Sequence, residues 1–242
     1  MKLYETGRLL LEPVLPPLYK QVRSRLRNII KAHPHSPQVL DVGGRKSPYT
    51  IGLPARVTVL DLPRSSDVQE HLNLGVNDKI INQTMQRRSN IEEVLVGDMT
   101  CSSLPDKAYD LIVSVEVLEH VEEDGLFVSE VSRVLRPGGT FLMTTPNGDW
   151  VENKNPDHKR HYKREQLKQL LEQYFDEVEI DYAIVGGRYR KLGLASWSAS
   201  HPIKTASSIF GNVVNAIQSA NGEIKHRAEG THHLIAVAKK TK

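Results

Sequence analysis

Val39-Leu40-Asp41-Val42-Gly43-Gly44 has the form of a buried strand that ends in an acid and a pair of glycines. Two further apolar runs, 57–61 and 94–98, also end in an acidic residue. Open α/β sheets bind their ligands in the crevice at the carboxyl ends of parallel strands. The three runs therefore predict a parallel sheet whose carboxyl edge holds a polar, nucleoside-like ligand.

Length and composition are those of an ordinary globular protein. The chain has 242 residues, of which 39% are hydrophobic and 25% charged, and its net charge is +3. Such a chain can bury a substantial core, and a charge this small predicts no strong nucleic-acid binding surface. The single cysteine, Cys101, excludes an intramolecular disulfide and a cysteine-rich metal site. No apolar run has the length of a membrane span or a leader, so we expect a cytoplasmic protein.

Apolar runs extend the predicted sheet to seven strands. The four further strands are predicted over residues 109–115, 140–145, 178–185 and 233–238. Segments between the strands carry apolar residues at helical spacing, as at Leu167, Leu170, Leu171 and Tyr174. This alternation of strands and helices is typical of the α/β class.

Two segments lie outside this alternation. Residues 1–36 carry apolar side chains at helical spacing after Pro16 and Pro17, which suit the first turn of a helix. They predict an N-terminal helical extension to a principal domain at 37–242. Residues 187–230 lie between the last two strands and are too long for an ordinary connection, so they predict a lid or substrate-binding insertion.

The order of motifs resembles the class I S-adenosylmethionine-dependent methyltransferases over about 37–185 and the last strand. The resemblance rests on the first two strands, on Gly97-Asp98-Met99, on the segment 109–121 and on the segment 135–141. Within them, Leu-Glu-His-Val and Arg-Pro-Gly-Gly resemble the branch that modifies small molecules, such as quinone-biosynthesis and sugar methyltransferases. The family implies a Rossmann-like sheet of seven strands, mostly parallel with an antiparallel last strand, and helices on both faces.

The resemblance also implies which residues bind S-adenosylmethionine. Gly43 and Gly44 would let the backbone pass close to the methionine part, because a Cβ would block that approach. Asp61 would accept hydrogen bonds from the ribose hydroxyls, and Asp98 and Met99 would contact adenine. The rest of the predicted cofactor-binding set comprises Asp41, Arg45, Leu62, Ser114 and Val115.

The loop after the first strand departs from the family pattern. The family places glycines at alternate positions there, and two of these positions hold Arg45 and Ser47. Arg45 could pair with the cofactor carboxylate, because guanidinium matches carboxylate in bidentate geometry. It could equally point to solvent. We expect the loop to follow a different path while the fold is kept.

Four residues are candidates for catalysis. Methyl transfer from a sulfonium needs mainly alignment, and a hydroxyl acceptor also needs a base. His120, His158 and His161 could face the acceptor, and Glu116 could act as base or as a hydrogen-bond partner. Each has a structural alternative, namely helix packing for His120, helix capping for His158 and His161, and an ordinary carboxylate at a helix start for Glu116.

Aromatic and acidic residues elsewhere give weaker signals. Trp150 and Trp197 either line the acceptor pocket or pack in the core. No metal site is predicted, with the scattered acids Asp149, Glu152 and Asp157 as the weak alternative.

The residues together predict an S-adenosylmethionine-dependent methyltransferase that acts on a small molecule at oxygen. The acceptor would be a sugar, a quinone precursor or a secondary metabolite, and a homodimer is compatible with the sequence. Neither nucleic acid nor a membrane is expected as a partner. Three alternatives stay open: methylation of RNA or protein, which the basic stretches allow, a binding protein without catalysis, and a use of the sulfonium other than methyl transfer.

Overall fold

The computed structural model describes residues 2–64 and 75–241. The strands are β1 (Gln38–Val42), β2 (Arg56–Asp61), β3 (Ile91–Val96), β4 (Tyr109–Val115), β5 (Leu135–Pro146), β6 (Glu177–Val185) and β7 (Thr231–Lys239). The α-helices in the described part are α1 (Leu3–Leu10), α2 (Pro17–Lys31), α3 (Asp78–Arg87), α4 (Asp124–Val134), α5 (Arg164–Glu172), α6 (Arg188–Gly193) and α7 (Pro202–Gln218).

The seven strands form one sheet in the order β3-β2-β1-β4-β5-β7-β6. Strands β1 to β5 pair in parallel, and β7 runs antiparallel to both β5 and β6. This arrangement confirms the predicted fold class. The chain order reverses between β1 and β4, and the carboxyl ends of the strands at such a switch point open the crevice in which α/β proteins bind ligands.

Helices cover both faces of the sheet, because neighbouring residues of the buried strands point to opposite sides. In β1, Val39 packs in the core that contains Val22 and Leu26 of α2. The next residue, Leu40, packs in the core that contains Phe127 of α4 and Leu167 of α5. Two apolar cores therefore hold the central strands from either side.

Helix α2 begins where the proline pair predicts it. Pro17 is its first residue, and Pro16 precedes it in an extended conformation. Helix α4 ends at Val134, and β5 begins at once with Leu135, which pairs with Tyr109 of β4. The chain therefore changes from helix to strand at Leu135, two residues before the Pro-Gly-Gly turn.

The N-terminal extension and the insertion 187–230 lie against each other. The side-chain amide of Asn212 in α7 donates to the Val14 carbonyl at 3.2 Å, and that of Gln21 in α2 donates to the Ser219 carbonyl at 3.3 Å. Within the insertion, α6 and α7 approach closely, because a Cβ on Gly211 would lie 2.8 Å from the Gly193 nitrogen. Across the described ranges, no helix combines the length and apolar character needed to cross a membrane.

Candidate active site

A cavity of about 490 Å³, here called the switch-point cavity, opens at the carboxyl ends of β1, β2, β3 and β4. It lies where the sheet topology places a ligand crevice. Seven of the predicted cofactor-binding residues line it, namely Gly43, Arg45, Asp61, Leu62, Asp98, Met99 and Val115. The structure therefore brings residues from four strand ends to one cavity.

Two acids present carboxylates to this cavity from neighbouring strands. Asp61 ends β2, and its Oδ1 accepts the Leu62 N–H at 2.9 Å. Burial raises the pKa of Asp61, although the Leu62 hydrogen bond and nearby Arg45 act against that rise. Asp98 follows β3, and its Oδ1 accepts from both the N–H and the hydroxyl of Thr100 at 2.8 Å. Both carboxylates are held in place by local backbone contacts.

Three predicted cofactor residues, Asp41, Gly44 and Ser114, are absent from the lining of this cavity. The Asp41 carboxylate is fully buried in β1 and accepts from the hydroxyls of Ser47 at 2.5 Å, Thr50 at 2.9 Å and Tyr49 at 3.1 Å. Burial raises the pKa of Asp41, while these hydrogen bonds lower it. Ser47, which occupies one of the family's glycine positions, therefore closes the loop onto Asp41. The third of these residues, Ser114, is buried within β4.

Gly43 and Gly44, which follow β1, must each be glycine, but for different structural reasons. Gly43 has φ +72°, and a Cβ there would lie 2.7 Å from the Val117 side chain. A Cβ on Gly44 would lie 2.0 Å from Cγ of Asp41. Neither position accepts a side chain, since one needs left-handed backbone and the other touches a buried carboxylate. The turn that follows places Arg45 on the switch-point cavity.

A second cavity of about 570 Å³, here called the extension cavity, lies between the N-terminal extension and the insertion. Leu15, Pro16 and Tyr19 line it from the extension, while the insertion contributes Arg190, Leu194, Trp197 and Asn212. Trp150, by contrast, is 53% exposed and lines neither cavity. Glu116 lines both cavities and thus marks their junction.

Glu116 is held in place from both sides of its carboxylate. Its Oε1 accepts from the Thr144 hydroxyl at 2.9 Å, and its Oε2 lies 3.1 Å from Nδ1 of His233. Burial alone would raise the pKa of Glu116, but His233 and the Thr144 hydrogen bond keep it below its usual value. The backbone of Glu116 has φ +55°, which is uncommon for a residue with a side chain and recurs at functional positions.

Arg190 determines which nitrogen of His233 carries the proton. An Arg190 Nη2 lies 3.3 Å from His233 Nε2, and a guanidinium can only donate. His233 Nε2 is therefore the acceptor, and in the neutral ring the proton sits on Nδ1, facing Glu116. The motifs do not point to Arg190 or His233, because the two come from an irregular insertion and an apolar strand. The pair His232-His233 inside that strand is the one available signal.

His232 should make the stability of the protein depend on pH. Burial and the neighbouring His233 and Arg190 lower the pKa of His232 to about 3. An unfolded histidine titrates near 6.5, so the free energy of unfolding should fall as the pH drops from about 6.5 towards 3. In His232→Gln, urea unfolding at pH 7 and pH 4.5 should show a smaller loss than in the original protein. The exposed His226→Gln is the control, and an unchanged loss in His232→Gln would contradict the assignment.

The three candidate catalytic histidines lie together. The rings of His120 and His158 are 4.6 Å apart in an edge-on arrangement, and Nδ1 of His158 lies 2.8 Å from Nε2 of His161. Of the three, His120 lines the switch-point cavity, as Glu116 does. The loop that carries His158 is tied to the turn after β4, because Lys159 N–H donates to the Glu119 carbonyl at 2.7 Å.

Residues 40–143 match a family model described as Methyltransferase domain. They include part of β1, all of β2 to β4, most of β5, and all the residues that line the switch-point cavity. This segment, 104 of the 242 residues, is similar to methyltransferase domains. In the extension cavity, Lys46, Pro48 and Glu116 lie within residues 40–143. Its other lining residues come from segments on either side of that range.

Two curated relatives agree with the match to a methyltransferase domain. The chain is 38% identical over 110 residues to a probable S-adenosylmethionine-dependent methyltransferase of Mycolicibacterium smegmatis, which covers 43% of this chain and 41% of the relative. It is 33% identical over 57 residues to a ubiquinone biosynthesis O-methyltransferase of Bradyrhizobium, with 22% of each chain covered. The chain thus spans less than half the length of these curated relatives.

The whole fold has a counterpart among solved structures. A SAM-dependent methyltransferase from Archaeoglobus fulgidus superposes with a TM-score of 0.57 at 21% identity, covering 92% of this chain and 94% of that one. Over most of its length the chain therefore shares its fold with that SAM-dependent methyltransferase.

Proposed function

We propose that the chain is an S-adenosylmethionine-dependent methyltransferase that methylates a hydroxyl oxygen of a small molecule. The observation that carries the proposal is the position of Glu116, a residue that lines both the switch-point and the extension cavity. A base at the junction of a cofactor cavity and an acceptor cavity is what proton removal during methyl transfer requires. The O-methyltransferase among the relatives supports oxygen as the acceptor atom.

The cofactor would occupy the switch-point cavity. Asp61 would accept from the ribose hydroxyls, and Asp98 and Met99 would hold adenine. Gly43 and Arg45 would lie against the methionine end, where a guanidinium can pair with a carboxylate. When bound, the cofactor supplies an activated methyl group on a sulfonium.

The acceptor would occupy the extension cavity with its hydroxyl directed at Glu116. Bound S-adenosylmethionine would supply its methyl group to the acceptor oxygen, and the electron pair of the broken carbon–sulfur bond would stay on sulfur. The hydroxyl proton would pass to Glu116, which its lowered pKa keeps ionised. His233 and Thr144 would hold the carboxylate in line during this step.

The insertion 187–230 would act as a wall and lid of the acceptor cavity. Its residues Arg190, Trp197 and Asn212 face the N-terminal extension across that cavity. The indole N–H of Trp197 donates to the Ser208 hydroxyl at 3.1 Å, which holds the ring. A cavity between two such walls favours a small acceptor over RNA or protein, which would need an open surface.

Labelled methyl transfer tests the function directly. The protein is incubated with methyl-labelled S-adenosylmethionine and a panel of sugars, catechol-type quinone precursors and phenolic metabolites, and products are identified by mass spectrometry. We expect an O-methylated product and S-adenosylhomocysteine in equal amounts. Label that enters only RNA or protein, or cofactor binding without any turnover, would contradict the proposal.

The Asp61→Ala variant tests the cofactor cavity. Loss of hydrogen bonds to a charged group costs about 1.5–3 kcal/mol, so the affinity for S-adenosylmethionine should fall about 10- to 150-fold. Isothermal titration calorimetry measures this change. Glu93→Ala is the matched control, because it removes an exposed carboxylate from the neighbouring strand β3. Equal affinities for Asp61→Ala and the original protein would refute the ribose assignment.

A further inference from the structure

A buried carboxylate without a partner lies beside the switch-point cavity. Glu119 is 0% exposed and belongs to the short turn Leu118–His120 that follows β4. Within residues 2–64 and 75–241, neither of its carboxylate oxygens has a hydrogen-bond partner. A carboxylate in such a place is costly unless a cation or a donor satisfies it. The proton transfer assigned to Glu116 leaves Glu119 without a role.

Two imidazoles complete a compact set of donors around this carboxylate. One nitrogen of His120, one nitrogen of His158 and one carboxylate oxygen of Glu119 all lie within 4.8 Å of one another. Glu119 and His120 are adjacent in sequence, whereas His158 comes from the loop after β5. That separation is why the spacing in the sequence does not reveal the cluster.

Hydrogen bonds made by Nδ1 of His120 and by Nδ1 of His158 leave Nε2 of each ring as the acceptor nitrogen. His120 Nδ1 lies 3.1 Å from the Asp157 carbonyl, and His161 Nδ1 lies 2.9 Å from the Val151 carbonyl. Carbonyls only accept, so both Nδ1 atoms carry hydrogen. His161 Nε2 then accepts from Nδ1 of His158 at 2.8 Å. In the neutral rings, Nε2 of His120 and Nε2 of His158 are therefore lone-pair donors.

We propose that Glu119, His120 and His158 form a binding site for a divalent transition-metal ion of the Zn²⁺ or Fe²⁺ type. Two imidazole nitrogens and one carboxylate oxygen are a donor set that these ions favour. Tetrahedral ligands around Zn²⁺, with bonds of about 2.0–2.1 Å, lie roughly 3.4 Å apart, so modest side-chain rotation brings the three atoms into place. Hydrogen bonds from Nδ1 to a carbonyl or a second histidine are the outer contacts typical of metal-binding histidines.

Metal binding to the free protein tests the proposal. The full chain, stripped with EDTA and dialysed, is titrated with Zn²⁺ by calorimetry and with Co²⁺ by visible absorption, without S-adenosylmethionine or acceptor. We expect one ion per chain and a Zn²⁺-dependent rise in melting temperature. Glu119→Gln and His158→Asn should each lower the affinity by at least about 10- to 100-fold, and His161→Ala, an outer contact, by about that range.

The controls separate this proposal from adventitious binding and from the methyltransferase proposal. His226→Asn removes an exposed histidine elsewhere and should leave the affinity unchanged. Circular dichroism checks that each variant is folded. Failure of the original protein to bind, or equal binding by Glu119→Gln, would overturn the metal site. Because no turnover is measured, either result leaves the test of methyl transfer independent.

Discussion

Glu116→Gln is expected to lower the rate of methyl transfer by about 10²- to 10⁴-fold, the range that a positioned base contributes. The substitution keeps the size of the side chain and its contact with Thr144, but removes the group that accepts the acceptor proton. The affinity for S-adenosylmethionine should stay nearly unchanged, since Asp61 and Asp98 are the residues proposed to hold the adenosine. Single-turnover kinetics with the labelled cofactor measure the rate, and calorimetry measures the affinity.

Glu123→Gln is the matched control for Glu116→Gln. Glu123 also lines the switch-point cavity, but it does not line the extension cavity. Its loss should therefore leave the rate nearly unchanged. A Glu116→Gln variant with full turnover would contradict the role of Glu116 as base. A variant that loses cofactor affinity and rate in parallel would instead show that Glu116 acts in cofactor binding.

Gly44→Ala is expected to lower the free energy of unfolding by about 3 kcal/mol or more. The new Cβ would lie within 2.4 Å of three atoms of the Asp41 carboxylate, so that buried group must move. Overpacking typically costs about 1–3 kcal/mol. The moved carboxylate would also lose hydrogen bonds from Ser47, Tyr49 and Thr50, which adds to the cost. Urea unfolding followed by circular dichroism gives the difference.

Gly7→Ala is the control for the glycine effect itself. Gly7 lies inside α1, and no described residue places an atom within 4 Å of a Cβ built there. Alanine favours a helix over glycine by up to about 1 kcal/mol, so the stability should be unchanged or slightly higher. If Gly44→Ala were as stable as Gly7→Ala, the packing of Gly44 against Asp41 could not explain the paired glycines.

The fold could be predicted because its signals are local in the sequence. A parallel strand covered on both faces is a continuous apolar run, and the runs at β1, β2 and β4 show this directly. Acids at the ends of β2 and β3 then fall at the same sheet edge, which places Asp61 and Asp98 together. The role of Asp41 could not be derived in this way, because its partners become visible only when the following loop folds back on it.

The candidate site was predictable only in the part that comes from the central motifs. Glu116 follows β4 and is named by its motif, but its partners come from later elements. Thr144 of β5 and His233 of β7 contact the carboxylate, and Arg190 of α6 contacts His233 in turn. The cluster around Glu119 could not be predicted for the same reason, since His158 comes from a distant loop.

The position of β7 between β5 and β6 has a consequence for how the molecule assembles. Within the sheet, β6 pairs with β7 alone, yet β7 follows β6 and the whole insertion along the chain. When everything before β7 has been synthesised, all the residues that line the switch-point cavity are already present. Strand β6, which leads into the insertion, has no strand to pair with until β7 emerges. Its arrival also brings His233 to Glu116, so the base proposed for methyl transfer gains this contact only at this late step.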